Sequence, residues 1–242
     1  MKLTFLCGTI FLVGAFTSMH AMAQSATVPS RAEAAITSLG YRLIDLTPDD
    51  GLAPWIDLAG LWGSMSASIQ RPSGGTLHDF LDQHGQLSLS DGGNAVFGNS
   101  SSDGLLLSLN LVDRNTYIAG TSDYSFRLSP NTQVIFTADA QVASYSGVND
   151  VRTAASASLY GSSYDGEQMP GTTSIGTSGT AQQSAMLEIL YRSGSVEGGG
   201  FVSLIGSLEG MVSPVPEPSR LPILLLGLPV VYAAARRRRT GA

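Results

Sequence analysis

The densest set of chemistry-bearing side chains is His78-Asp79-Phe80-Leu81-Asp82-Gln83-His84, which holds two imidazoles and two carboxylates in seven residues. Imidazole nitrogen and carboxylate oxygen are ligands that divalent metals accept. On a helix, His78 and Asp82 would share a face and His84 would point elsewhere; on a strand, His78, Asp82 and His84 would share one. Neither arrangement matches a known metal spacing, so the segment is expected to be a polar surface stretch without metal or cofactor. His78 and His84 are the only histidines beyond residue 23, and neither stands near a G-x-S-x-G motif. No catalytic residue is assigned, and the chain is expected not to be an enzyme. Asp91-Gly92-Gly93-Asn94 and Ser100-Ser101-Ser102-Asp103-Gly104 offer oxygens to calcium. No Glu stands at the twelfth position of either, and tight turns use the same residues, so turns are expected.

Sugar recognition calls for exposed aromatics beside carboxylates and amides. The candidates are Trp55 with Asp57, Trp62, and Tyr160 with Tyr164 and Asp165. Large aromatics usually serve the core, so both tryptophans are expected inside. Tyr164 is expected to be exposed, at the start of a long Gly/Ser/Thr-rich loop over residues 164–183.

The elements that must carry these side chains read as short strands. Residues 24–213 contain 24 glycines, 30 serines and 13 threonines, a composition that favours turns and strands over helices. Leu105, Leu107, Leu109 and Leu111 alternate with Ser108 and Asn110. Val134, Phe136, Ala138, Ala140 and Val142 oppose Gln133, Thr137, Asp139 and Gln141. Tyr124, Phe126 and Leu128 alternate with polar residues, as do Leu187, Ile189 and Tyr191. Residues 201–212 form a mainly apolar run, and 41–46, 55–69, 86–90 and 154–160 are further strand candidates. Breakers fall between them, among them Gly198-Gly199-Gly200. Residues 27–39 hold good helix formers and predict one short helix. The expected fold is all-β: an antiparallel β-sandwich of eight or nine strands over residues 24–213.

Charge narrows the partners. Residues 24–213 carry 7 basic and 18 acidic side chains, a balance of −11, and the only lysine of the chain is Lys2. A body without cations to neutralise phosphates argues against nucleic-acid binding. Cys7 is the only cysteine, so no disulfide forms within one chain.

The two ends read as addresses. Met1-Lys2, an apolar stretch over residues 3–16 and the small-x-small site Ala21-Met22-Ala23 predict a secretory signal peptide, residues 1–23, with a mature start at Gln24. At the other end stand Val215-Pro216-Glu217-Pro218-Ser219, then fifteen uncharged residues over 221–235, then Arg236, Arg237, Arg238 and Arg239. Fifteen helical residues span about 22 Å, short of the roughly 30 Å hydrocarbon core, but flanking arginines can snorkel and the bilayer can thin. The segment is expected to be a single transmembrane helix with its arginines in the cytoplasm.

Motif, hydrophobic segment and basic end, in that order at the extreme C-terminus, resemble the PEP-CTERM sorting signal. The resemblance covers residues 215–242, with the motif at Pro216, Glu217 and Pro218. It implies an exopolysaccharide-producing Gram-negative host and an exosortase, a membrane protease-transpeptidase, as processing partner. Tyr41-Arg42-Leu43-Ile44-Asp45-Leu46-Thr47-Pro48-Asp49-Asp50-Gly51 is also similar to a segment near the start of some proteins with this tail. The resemblance implies an exported envelope or extracellular-matrix protein, associated with exopolysaccharide or biofilm and anchored in the inner membrane in transit. The alternative is a carbohydrate-active enzyme, or a sugar-binding or adhesion module, delivered by the same signal.

Overall fold

The computed structural model describes residues 29–71, 73–147, 151–164 and 171–213. The expected signal peptide 1–23 with Ala21, Ala23 and Gln24 lies outside the described residues. So do Asp165, the motif Val215, Pro216, Glu217, Pro218 and Ser219, the expected helix 221–235, and Arg236, Arg237, Arg238 and Arg239.

Twelve strands make up the described chain, and no helix among its residues is long and apolar enough to cross a membrane. They are β1 (Ser30–Asp45), β2 (Ile56–Gln70), β3 (Thr76–Leu81), β4 (Gly85–Asp91), β5 (Asn94–Ser101) and β6 (Gly104–Leu111). Then follow β7 (Thr116–Leu128), β8 (Thr132–Tyr145), β9 (Val151–Ser163), β10 (Thr172–Ser178), β11 (Ala181–Arg192) and β12 (Gly198–Val212). They form two six-stranded antiparallel sheets, ordered β11-β8-β1-β6-β5-β4 and β10-β9-β12-β7-β2-β3. The fold is all-β and sandwich-like. Edge strands of the two sheets follow one another in the chain at two places, β3 into β4 and β10 into β11. Across the second of these seams Thr173 Oγ1 donates to the Glu188 carbonyl at 2.8 Å, so the two edges shield one another.

One core fills the space between the sheets. The first sheet sends in Ile36, Leu107 and Phe136; the second sends in Met65, Phe126 and Leu204. Phe126 packs against Phe136 and Tyr191 with ring centroids 5.0 and 5.2 Å apart. Gly206, inward on β12, receives leucines from the first sheet: a Cβ there would lie 3.0 Å from Leu107 Cδ1 and 3.1 Å from Leu105 Cδ2.

Five sequence expectations need correction. The strand count among the described residues is twelve rather than eight or nine, because the strand candidates leave out β3, β5 and β10. Of the helix expected over residues 27–39, residues 30–39 are instead the first part of β1, held between β8 and β6, and residues 27 and 28 lie outside the described residues. Ala32, Ala34 and Ile36 face inward while Arg31, Glu33 and Ala35 face out, and pairing on both sides overrides helix propensity. The long loop expected over 164–183 contains β10, whose Ile175 and Thr177 turn inward; Thr177 Oγ1 meets Ser144 Oγ at 2.9 Å. Gly198-Gly199-Gly200 is not a turn but the start of β12, where side chains are crowded out: a Cβ at Gly199 would lie 2.8 Å from the Phe126 carbonyl oxygen. Both tryptophans expected in the core are on the surface, Trp55 at 40% and Trp62 at 51% exposure.

Candidate functional site

Trp62 is the residue around which a site forms. Its outward position follows from a bulge. The register of β2 on β7 slips between Gly60 and Trp62, and from there Gly63, Met65, Ala67 and Ile69 face the core. Trp62, Ser64, Ser66 and Ser68 take the other face. The same alternation turns Asp123 outward on β7, Ser203 and Phe201 on β12, and Tyr160 and Ser162 on β9.

Strand pairing then aligns them. Trp62 stands opposite Asp123, Asp123 opposite Ser203, and Ser203 opposite Tyr160. This row crosses four adjacent strands of the second sheet, so the two end residues are about 14 Å apart along the sheet. Phe201 and Ser162 lie one step along on the same face. Together these side chains line an open depression of about 580 Å³. Ser203 forms its floor at 8% exposure, and Trp62 and Tyr160 rise at its ends at 51% and 39%. Tyr164, 57% exposed as expected, meets the Phe201 ring edge-on at 4.7 Å and extends the aromatic rim.

Hydrogen bonds fix the row. The Trp62 indole Nε1 donates to Asp123 Oδ2 at 2.6 Å, and Thr121 Oγ1 donates to the same oxygen at 3.3 Å. Ser64 Oγ meets Thr121 Oγ1 at 3.1 Å. Asp123 Oδ1 has no hydrogen-bond partner among the described residues and remains an acceptor for a ligand hydroxyl. Indole, phenol and phenyl faces offer apolar platforms, while the carboxylate and serines offer directional bonds. That combination suits a ring with one apolar face and hydroxyls at its edge, which is the chemistry of a pyranose.

This outer face carries both signs. Asp57, Asp123 and Glu209 lie on it with Arg127, which is tied to Glu197 at 2.5 Å, and with exposed Arg152, which pairs with Met211 two residues from Glu209. The three carboxylates are strung out. Asp57 pairs with Arg127, four residues from Asp123, and Glu209 is six residues along from Ser203. Those offsets are about 14 and 20 Å of strand, well beyond the carboxyl spacing of a glycosidase. On the first sheet Asp139 and Glu188 are diagonal neighbours, since Glu188 pairs with Thr137. Their Cα atoms are about 7–8 Å apart and both are exposed.

The remaining sequence candidates separate. β3 ends at Leu81, so the alternation that would unite His78, Asp82 and His84 stops before the last two. His78 is exposed opposite Ser68, whereas His84 Nδ1 meets Ser100 Oγ at 3.1 Å. Ser100 is 1% exposed, and its hydroxyl also lies 3.0 Å from the Thr121 carbonyl and 2.8 Å from Ser122 Oγ. This His–Ser contact locks the seam beside Gly63, where a Cβ would lie 2.6 Å from the imidazole Nδ1. Among the described residues no three His, Cys, Asp or Glu converge on a metal-sized point. Asp91-Gly92-Gly93-Asn94 is a tight turn with both glycines at positive φ, 59° and 90°. The Asp91 carboxylate is taken by Arg114 at 2.5 Å and approached by Arg71 at 3.6 Å. Trp55 precedes β2, its backbone clasped to Ser129 at 2.9 and 3.0 Å, away from the Trp62 row. A second depression of about 410 Å³ beside Pro29, Arg31 and Glu33 has one aromatic, Tyr145, and lacks the paired platforms.

Sequence reasoning placed Trp62 in the core and did not single out Asp123, Ser203 or Phe201. The signal that finds them is parity: Trp62 shares its alternation with Ser64, Ser66 and Ser68, and Phe201 shares its own with Ser203 and Ser207. No protein-family model, curated protein or solved structure matches this chain.

Proposed function

We propose that this is an exported envelope or extracellular-matrix protein that holds exopolysaccharide through the Trp62–Asp123–Ser203–Tyr160 row and performs no catalysis. The observation that carries the reading is that row: two exposed aromatics flanking a carboxylate and a serine on a rigid sheet face. Its neighbours support binding over hydrolysis, because the carboxylates of this face are too widely spaced to act as a pair. Delivery rests on the sequence ends. The signal peptide over residues 1–23 directs export, and the helix over 221–235 with Arg236 to Arg239 holds the protein in the inner membrane. An exosortase-type protease then processes the tail at the Val215-Pro216-Glu217-Pro218-Ser219 motif, which resembles PEP-CTERM.

Two experiments test the two halves. In gels containing the host's exopolysaccharide, the protein should be retarded, and the Trp62→Ala/Tyr160→Ala variant should migrate freely while unfolding at nearly the same urea concentration. Equal retardation of a folded double variant would refute the row. Intact mass of the mature protein should lack residues 1–23 and the tail, and Pro216→Ala/Glu217→Ala should retain the tail; a native chain that keeps residues 221–242 would refute sorting. A carbohydrate-active enzyme is the competing reading, favoured by the Asp139/Glu188 pair. Release of reducing sugar that is lost in Glu188→Gln would establish it in place of ours.

A further inference from the structure

The aromatic row is one end of a longer feature. Six residues from Asp123 along β7, on the same face, stands Tyr117, 41% exposed. It pairs with Glu209 on β12 and Ser68 on β2, so a second cross-strand row carries an aromatic, a carboxylate and a hydroxyl. Tyr117 and Glu209 border two open depressions, of about 280 and 400 Å³, one on each side of the pair. The two rows are about 20 Å apart along the strands.

The ground between them is uniform. Ser64 meets Thr121 at 3.1 Å, and Ser156 Oγ meets Ser207 Oγ at 2.7 Å, so hydroxyls pave the lane with Ile205 and Ala119 between them. Such a surface gives a hydroxylated chain many short hydrogen-bond partners and no steric stop. Its charge selects among chains. Asp123 repels a polyanion at one end; at the other, Glu209 pairs with Ala154 and so offsets its diagonal neighbour Arg152, and with Arg127 already paired the track offers a polyanion no surplus of cations.

We propose that the outer face of the second sheet is a two-station track that binds a neutral linear polysaccharide lengthwise along β7 and β12, with Trp62–Tyr160 at one end and Tyr117–Glu209 at the other. This deepens the function proposed above and rests on it. A ligand reaching both stations gains the second contact intramolecularly, so affinity rises with chain length until the track is spanned.

The test uses the full protein on arrays of neutral β-glucan, mannan and galactan ladders running from disaccharide to octasaccharide, with polygalacturonate as the anionic comparison. At least one neutral ladder should bind on the order of tenfold or more tighter at its long end than at its short end. Tyr117→Ala should remove that gain and leave short-oligomer binding intact, whereas Trp62→Ala should weaken every length. The urea midpoint of each variant checks that it is folded. A length-independent affinity that Tyr117→Ala does not change would overturn the second station while leaving the first row's function standing. Stronger binding to polygalacturonate would overturn the neutral ligand class. No binding to any ladder by the wild-type protein would overturn the track, and failed retardation by the host's own polysaccharide would show that the underlying function had failed with it.

Discussion

The facing of the two sheets can be tested at one contact, Leu107 on Gly206. Leu107 belongs to β6 of the first sheet and is 0% exposed; Gly206 belongs to β12 of the second. Truncating Leu107 to alanine in a packed core costs about 2–5 kcal/mol, as lost transfer energy plus a cavity. Adding a methyl at Gly206 places it 3.0 Å from Leu107 Cδ1 and 3.1 Å from Leu105 Cδ2. Both are ends of flexible side chains, so the strain is that of ordinary overpacking, about 1–3 kcal/mol. If the two variants acted independently, their costs would add. They do not act independently in this fold, because the methyl of Gly206→Ala enters space that Leu107→Ala vacates. The double variant should therefore be at least about 1 kcal/mol more stable than the sum of the singles, a coupling in the range found for contacting residues. Urea unfolding of the four proteins, followed by circular dichroism with a shared slope, measures it. Additivity to within about 0.5 kcal/mol would separate the two residues and refute this register of one sheet on the other.

Two further outcomes follow from single side chains. Burial first, then the Asp103 and Asp123 carboxylates, raise the Tyr124 phenol above its ordinary value, and its hydroxyl donates to the Ser102 carbonyl at 2.9 Å. A raised folded value means stability present in full below the unfolded tyrosine value of about 10 and lost as pH rises through the folded one. Unfolding midpoints taken from neutral to alkaline pH should fall less steeply for Tyr124→Phe than for wild type; parallel curves would contradict the assignment. Gly63→Ala drives a methyl against Ser100 and His84 at the β3–β4 seam and should cost about 1–3 kcal/mol by urea unfolding, with His84→Ala relieving part of it.

Much of this fold was legible because alternation is a direct record of which face is buried. Each of the nine strand candidates overlaps a strand, with only Leu46 and Trp55 falling outside, and inward residues such as Phe136, Phe126 and Leu107 make the core. What alternation could not reveal falls into two kinds. β1 carries helix formers at residues 31–35, and nothing local states that β6 and β8 will pair on either side; that is tertiary information. β10 offers Thr, Ser and Gly at nearly every position, so its inward Ile175 and Thr177 barely mark a face, and its strand exists because β9 pairs with all seven of its residues.

The site was hidden for a different reason, one that also explains the composition. Aromatic type suggests burial, but in a strand the parity of a residue outweighs its type. Trp62, Tyr160, Phe201 and Tyr117 each alternate in step with serines or threonines, and each lies on the outer face of the second sheet. The serines that made the middle of the chain look uninformative are therefore the outer halves of β2, β9 and β12, while the alanines and glycines that alternate with them let leucines such as Leu105 and Leu107 reach across the core. One pattern thus serves two ends. Small inward residues bring the sheets together without cysteine or helix, and small outward hydroxyls leave a surface on which four aromatics stand clear. Parity rather than residue type thus brings Trp62, Tyr160, Phe201 and Tyr117 to the outer face of the second sheet, where apolar side chains in step with serines can serve a ligand instead of the core.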